Sequence, residues 1–101
     1  MEKKRAPTLE EKAEEAARLL SAMSNPRRLI VLCNLIDRER SAGELAEIVG
    51  LSAAALSQHL GKMRALGLVA TRREGQTIHY RLASEHVRVL LETLYGLFCR
   101  V

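Results

Sequence analysis

Aromatic side chains make up only 3% of this 101-residue sequence, and tryptophan is absent. Hydrophobic residues nevertheless account for 48% of the chain, so an apolar core must consist mainly of Leu, Val, Ile and Ala. Such a composition favours packed helices over a β-sandwich, whose strands are rich in aromatic and β-branched residues. The length fits one domain, residues 1–101.

The sequence also lacks a long apolar run, and its first residues, MEKKRAPTLEEK, lack the apolar segment of a signal peptide. We therefore expect a cytoplasmic protein without a membrane partner. Cysteine is scarce, with only Cys33 and Cys99. Two cysteines in a reducing compartment argue against a structural disulfide framework.

Carboxylates are absent between residues 48 and 73, although the chain as a whole contains 12 acidic residues. Basic residues gather from residue 62 to residue 81, where Glu74 is the single acid: they are Lys62, Arg64, Arg72, Arg73 and Arg81. With a formal net charge of +4, this distribution is compatible with a nucleic-acid partner.

The stretch without carboxylates predicts a helix from Ala53 to Leu66, with Ser52 as N-cap and Gly67 just beyond its end. Its apolar residues recur at helical spacing: Leu56, Leu60, Met63 and Leu66. The opposite face is small and polar, which suits the major groove of DNA. The groove candidates are Ser52, Ala54, Ala55, Ser57, Gln58 and Lys62, and His59 lies at the edge of the apolar face, suited either to packing or to a phosphate contact.

Four further helices are predicted from caps and apolar periodicity. They run from Leu9 to about Met23 after a Thr8 cap, from Pro26 to about Asp37 after Asn25, from Ala42 to Val49 with a capping box of Ser41 and Glu44, and from about Glu85 to Cys99 after Ser84. The second, RRLIVLCNLI, is apolar nearly all round and is predicted to be the central buried helix.

After Gly67 the pattern changes to that of a β-hairpin. Residues 68–73 and 77–82 are predicted strands, and Glu74-Gly75-Gln76 is the predicted tip. A helix-turn-helix followed by a basic two-stranded ribbon is a winged helix, so the predicted fold is mainly α with a small β-hairpin, in the order α-α-α-α-β-β-α. Arg72, Arg73, Gln76 and Thr77 form the predicted wing, with the two arginines at phosphates or in the minor groove.

Three segments resemble the ArsR/SmtB-type winged-helix repressors: NPRRLIVLCNL, SAGELAEIVGLSAAALSQHLGKMRALGLV and REGQTIHYRL. The resemblance implies a homodimer joined through its first and last helices that binds double-stranded palindromic operator DNA and releases it on sensing an inducer. The chain departs from the family pattern at Ala53-Ala54-Ala55, where relatives usually carry a glutamine and a second polar or proline residue. This departure implies fewer base-specific hydrogen bonds. The chain also carries Gln76 where relatives often have a basic wing tip, which implies a weaker dependence of binding on salt.

Many members of this family sense metals, but the two usual metal motifs are incomplete here. The Cys-x-Cys motif would fall between Glu44 and Ile48, where no cysteine is present. In the last helix, Glu85-His86 lacks the second ligand pair about three turns later, and one pair cannot complete a tetrahedral site. We expect no metal at these sites and no cofactor.

Cys33 and Cys99 resemble the paired cysteines of the thiol-based branch of the family, which responds to sulfide or persulfide. The resemblance implies that reactive sulfur species link the two thiols through a disulfide or polysulfide bridge and that DNA is then released. Our hypothesis for the release is that the link ties the central helix to the dimerisation helix and changes the angle between the two DNA-binding helices of the dimer. Arg27, Arg28 and Arg100 are close enough in sequence to favour a thiolate.

Several alternatives remain open at this point. Cys33 could be a small buried hydrophobe, and the sensor could respond to general oxidants or to a metal held by Cys33, Cys99 and histidines. The basic patch could be incidental to a dimerisation module. The sequence shows no nucleophile–base–orienter spacing and no phosphate-binding glycine loop, so we expect no enzymatic activity.

Overall fold

The computed structural model describes residues 5–99, and they form five helices and a three-stranded antiparallel sheet. The helices are α1 (Ala13–Met23), α2 (Pro26–Cys33), α3 (Ala42–Val49), α4 (Ala53–Ala65) and α5 (Glu85–Phe98). The strands are β1 (Arg40–Ser41), β2 (Val69–Glu74) and β3 (Thr77–Leu82). Within these residues no helix combines the length and the apolarity needed to cross a membrane.

The core lies where α2, α3, α4 and α5 meet the base of the sheet. Its largest fully buried side chains are Leu32, Leu35, Leu45, Leu56, Leu60, Met63 and Leu91. The predicted apolar face of α4 is confirmed for Leu56, Leu60 and Met63, but Leu66 is 53% exposed because it follows the last helical turn as the C-cap.

Three serine caps are confirmed. The side chain of Ser41 accepts from the Glu44 N–H and completes a capping box, and the Ser52 and Ser84 hydroxyls accept from the N–H groups three residues on. Between α3 and α4, Gly50 adopts φ 68°, a left-handed conformation that ends α3 and turns the chain towards α4.

The predicted start of the first helix is wrong. Residues 9–12 form turns, and regular helix begins only at Ala13. The Thr8 hydroxyl accepts from the Glu11 N–H at 3.2 Å, so it caps this preceding turn and not α1 itself.

The second helix ends at Cys33, four residues before the predicted Asp37. Beyond that point, side chains from other parts of the chain donate to the backbone carbonyls: Arg40 Nε to Asn34 at 2.6 Å, and Arg88 Nη1 to Ile36 at 2.7 Å. This helix is also less buried than predicted, since Val31 and Leu32 are buried while Ile30 is 40% exposed.

The sheet has three strands in the order β1-β3-β2, where a two-stranded ribbon was predicted. Arg40 pairs with Tyr80 and Ser41 with His79, so these two residues before α3 supply a short edge strand that was not predicted. β2 includes Glu74, and the hairpin tip is therefore the two residues Gly75 and Gln76. Of these two residues only Gly75 has positive φ, 61°, as the first central residue of a tight hairpin turn requires.

Candidate DNA interface and thiol groove

The outer face of α4 presents most of the predicted groove residues to solvent. Ser52, Ala54, Ser57, Gln58 and Lys62 are exposed, whereas Ala55 and His59 are half-buried. The Ser52 hydroxyl already accepts the Ala55 N–H at 3.2 Å, so this side chain has a structural function whatever it contacts on DNA. Ser57, Gln58 and Lys62 are therefore the side chains best placed to contact bases and phosphates.

His59 belongs to α4, the predicted DNA-recognition helix, and its half-buried side chain packs inward. Its Nδ1 accepts a hydrogen bond from Arg28 Nε at 3.1 Å. Because a guanidinium has no lone pair to offer, Nδ1 must be the acceptor and carries no proton in this arrangement. Two functions were predicted for His59, packing within the protein or a phosphate contact. The hydrogen bond from Arg28 supports the first.

The two wing arginines, Arg72 and Arg73, differ in how strongly other groups of the chain bind them. Arg72 Nη2 lies 2.5 Å from Glu39 Oε1, and Arg72 Nη1 lies 3.4 Å from Glu74 Oε2. The hydrogen bond from Arg72 lowers the pKa of the Glu39 carboxyl, and the same bond raises the pKa of Arg72. The positive charge of Arg72 is thus offset by two carboxylates.

Arg73 is bound less strongly, since its Nε donates only to the Gly75 carbonyl at 3.2 Å. Gln76 and Thr77 are exposed beside it at the end of the hairpin. Sequence reasoning missed Glu39, because it lies 33 residues from Arg72 and no local pattern links the two.

The two cysteines line one apolar groove between α2 and α5. Its volume is about 660 Å³, and its walls include Leu29, Ile36, Leu91, Leu94, Tyr95 and Phe98. Among the described residues that line it, Glu92 is the one charged side chain. Cys33 ends α2 and Cys99 caps the C-terminus of α5, so two helix ends bring the thiols to the same place.

The groove changes the acidity of one thiol. Cys33 is exposed to solvent in the single chain, yet its apolar surroundings desolvate it and raise its pKa, and the charge of a Cys99 thiolate raises that pKa further. The alternative that Cys33 is a small buried hydrophobe is therefore wrong as regards its burial in the single chain. The expectation that neighbouring arginines favour its thiolate also fails for the two that are described.

Those two arginines bind elsewhere. Arg27 Nη1 donates to the Val49 carbonyl, and Arg28 donates to His59 and to the Ala22 carbonyl. Arg100, the third residue of that expectation, lies outside the described residues. At neutral pH the thiol form of Cys33 consequently predominates more strongly than for an ordinary cysteine.

The groove offers a metal ion few ligands. Across residues 5–99, no three or more His, Cys, Asp or Glu side chains gather closely enough to hold a metal ion. The groove walls contribute two sulfurs and the Glu92 carboxylate but no histidine.

A second apolar surface, here called the α1–α5 face, lies on the other side of α5. Leu20 is 56% exposed, Val89 is 58% exposed and Leu97 is 72% exposed. On α5, Val89 and Leu97 lie about 80° apart around the helix axis, and both are on the side away from the groove-lining Leu91 and Tyr95. Large exposed apolar residues gathered on neighbouring helices are typical of an interface.

Comparison with known proteins assigns the chain to a family. Residues 25–71 match the family model described as bacterial regulatory protein, arsR family. The transcriptional activator HlyU of Vibrio cholerae is 48% identical over 92 residues, covering 91% of this chain and 85% of that protein.

Two solved structures share the fold. The transcriptional repressor BigR of Xylella fastidiosa has a TM-score of 0.85 and 42% identity, covering 90% of this chain and 93% of that one. The homodimeric winged helix-turn-helix DNA-binding domain Mb0332 of Mycobacterium bovis has a TM-score of 0.77 and 30% identity, covering 92% of this chain and 86% of that one. The chain is thus a transcriptional regulator with a winged-helix fold, and it belongs to the arsR family of bacterial regulatory proteins.

Proposed function

We propose that the protein is a homodimeric repressor that releases its operator when reactive sulfur species link Cys33 to Cys99. The observation that carries this proposal is the shared groove, in which the only two cysteines of the chain lie between α2 and α5. The proposal draws further support from the relatives, one of which is a repressor by name.

The DNA-binding part of the proposal rests on α4 and the wing. Exposed Ser57 and Gln58 can donate to and accept from base edges, while Lys62 and Arg73 can meet phosphates. His59, Ala55, Thr77 and Gln76 border this surface, and Ala54 offers only a methyl contact. A homodimer would place two such helices in successive major grooves of a palindrome.

The α1–α5 face supports self-association. Its exposed leucines and valine would be removed from water if a second copy covered them, and Mb0332, which has the same fold, is a homodimer. A two-fold axis at this face would leave the thiol groove on the other side of each α5 open to small molecules.

The linking chemistry requires a sulfur donor that also accepts electrons. A persulfide R–S–SH transfers its outer sulfur to one thiol, giving Cys–S–SH and R–SH. The second thiol attacks the inner sulfur of this group, so that a Cys33–Cys99 disulfide forms and H₂S leaves. If both thiols first take up sulfur, their reaction gives a trisulfide bridge and H₂S. In each route the two thiols are oxidised and one transferred sulfur is reduced to sulfide.

Operator binding before and after linking tests the proposal. The probe is a palindromic duplex selected from a random pool by the reduced protein, titrated in excess competitor DNA. We expect tight binding by the reduced protein and about a tenfold or greater loss after treatment with an organic persulfide. Failure to select a duplex would favour a dimerisation module, and equal affinity of the two samples would contradict the sulfur switch.

The wing arginines give a separate prediction for the reduced protein. Each phosphate neutralised contributes about −0.9 to the slope of log K against log salt. We expect Arg73→Ala to reduce the magnitude of that slope by about 0.9 and Arg72→Ala to reduce it by clearly less, because Glu39 and Glu74 already offset Arg72. Fluorescence anisotropy titrations between about 50 and 200 mM salt measure both slopes. Equal reductions would show that Arg72 leaves its carboxylates for DNA.

A further inference from the structure

The first turn of α2 is hydrogen-bonded to three other helices through two arginines. Arg27 Nη1 donates to the Val49 carbonyl at the end of α3. Arg28 Nη1 donates to the Ala22 carbonyl of α1 at 3.1 Å, and Arg28 Nε donates to His59 Nδ1 of α4 at 3.1 Å. One helix end therefore contacts both helices of the helix-turn-helix.

The backbone that carries these arginines is itself held. The Asn25 side chain accepts from the Arg27 N–H at 2.9 Å and from the Arg28 N–H at 3.2 Å, and Pro26 fixes the first helical residue. Eight residues of helix span about 12 Å. One short, continuous helix therefore connects Cys33 at its last residue with Arg28 in its first turn.

His59 is well placed to respond to a displacement of α2. It lies near the middle of α4, directly after the exposed Gln58 and directly before Leu60, which is 2% exposed in the core. Arg28 is half-buried, so its bond to His59 is less screened by water than a surface contact. A shift of about 1 Å between α2 and α4 would lengthen the bond beyond effective range.

We propose that the Arg28–His59 hydrogen bond couples the thiol groove to the DNA-recognition helix α4. This inference rests on the proposed function, because it names the contact through which a Cys33–Cys99 link alters α4. In the reduced protein the bond holds α4 in its DNA-binding position. Linking Cys33 to Cys99 draws the C-terminal end of α2 towards α5, and Arg28 then no longer holds His59 in place.

The test compares how strongly linking weakens operator binding in matched variants. The measured quantity is the ratio of the operator dissociation constants of the persulfide-linked and the reduced protein, with linking verified by mass. His59→Leu removes the acceptor, whereas His59→Asn keeps an oxygen near the position of Nδ1. We expect His59→Leu to lower the ratio by about threefold or more and His59→Asn to keep it within about twofold of the wild-type ratio.

A second pair of variants covers the possibility that His59→Leu does not fold. Arg28→Met keeps much of the apolar stem of the side chain but removes its donors, and we expect it to lower the ratio as His59→Leu does. Arg18→Met makes the same change at an exposed position of α1 and should leave the ratio unchanged.

The outcomes separate the two proposals. If linking weakens wild-type binding and both His59→Leu and Arg28→Met keep the full ratio, the coupling inference is wrong while the sulfur switch stands. The coupling inference is also wrong if these variants weaken operator binding by the same factor in the reduced and the linked protein. A purely structural role of the hydrogen bond would have that effect. If linking leaves wild-type binding unchanged, the sulfur switch fails and the coupling inference falls with it.

Discussion

Replacing both thiols, in the double variant Cys33→Ser and Cys99→Ser, should leave operator binding intact and abolish its loss on persulfide treatment. Serine is close in size to cysteine, and both side chains are exposed in the single chain, so we expect a change in stability within about 0.5 kcal/mol. Thermal unfolding and anisotropy titration of the reduced and treated protein measure the two effects.

The single variants distinguish a bridge from simple sulfur uptake. Cys99→Ser still takes up sulfur at Cys33 but has no partner thiol, so it should bind the operator equally before and after treatment. Cys33→Ser should behave in the same way. Release of DNA by either single variant would indicate that a persulfide on one cysteine is enough, and release by the double variant would remove both thiols from the mechanism.

Introducing a charge on the α1–α5 face should also have a large effect, on both dimerisation and operator affinity. In the proposed dimer, Leu20→Glu would place carboxylates in an apolar interface, which is costly without a partner charge. We expect the reduced variant to sediment as a monomer and to lose about 100-fold or more in operator affinity, because the two DNA-binding helices are no longer linked. Analytical ultracentrifugation and anisotropy titration measure these changes.

Ala83→Glu is the matched control for this variant. Ala83 lies between β3 and α5, so the substitution adds the same charge outside both helices of the face. It should remain dimeric and lose only the small affinity expected from one additional negative charge. A Leu20→Glu protein that stays dimeric would show that another surface joins the two chains.

The features predicted correctly from the sequence depend on residues close together in the chain. The caps at Ser41, Ser52 and Ser84 each involve an N–H three residues on, so a short window contains both partners. The same holds for the apolar spacing of α4 and for the hairpin, whose Gly75 marks the turn.

The late start of α1 reflects a local turn capped by Thr8, but other errors arise from contacts outside any short window of the sequence. The end of α2 depends on Arg40 and on Arg88, the latter 52 residues from its acceptor Ile36. Likewise, β1 forms because Arg40 pairs with Tyr80, and Arg72 is offset because it binds Glu39. No periodicity within a window of the sequence carries that information.

The thiol groove was predicted only in part. Resemblance to a family branch singled out Cys33 and Cys99, and the structure places both on the walls of one groove. The exposure of Cys33 and its raised pKa, by contrast, follow from the early end of α2 and from the apolar walls that α5 supplies.

The intact mass of the reduced protein after treatment with an organic persulfide, with operator binding measured on the same sample, tests the central claim most directly. A disulfide oxidant serves as the comparison. The account predicts an internally bridged monomer together with loss of DNA binding. Its mass is lower by two hydrogens for a disulfide bridge, or higher by the added sulfur atoms less two hydrogens for a polysulfide bridge. A mass gain with persulfide alone identifies a reactive-sulfur sensor, and equal release with both reagents indicates a general thiol switch. An unchanged mass with undiminished binding would contradict the account.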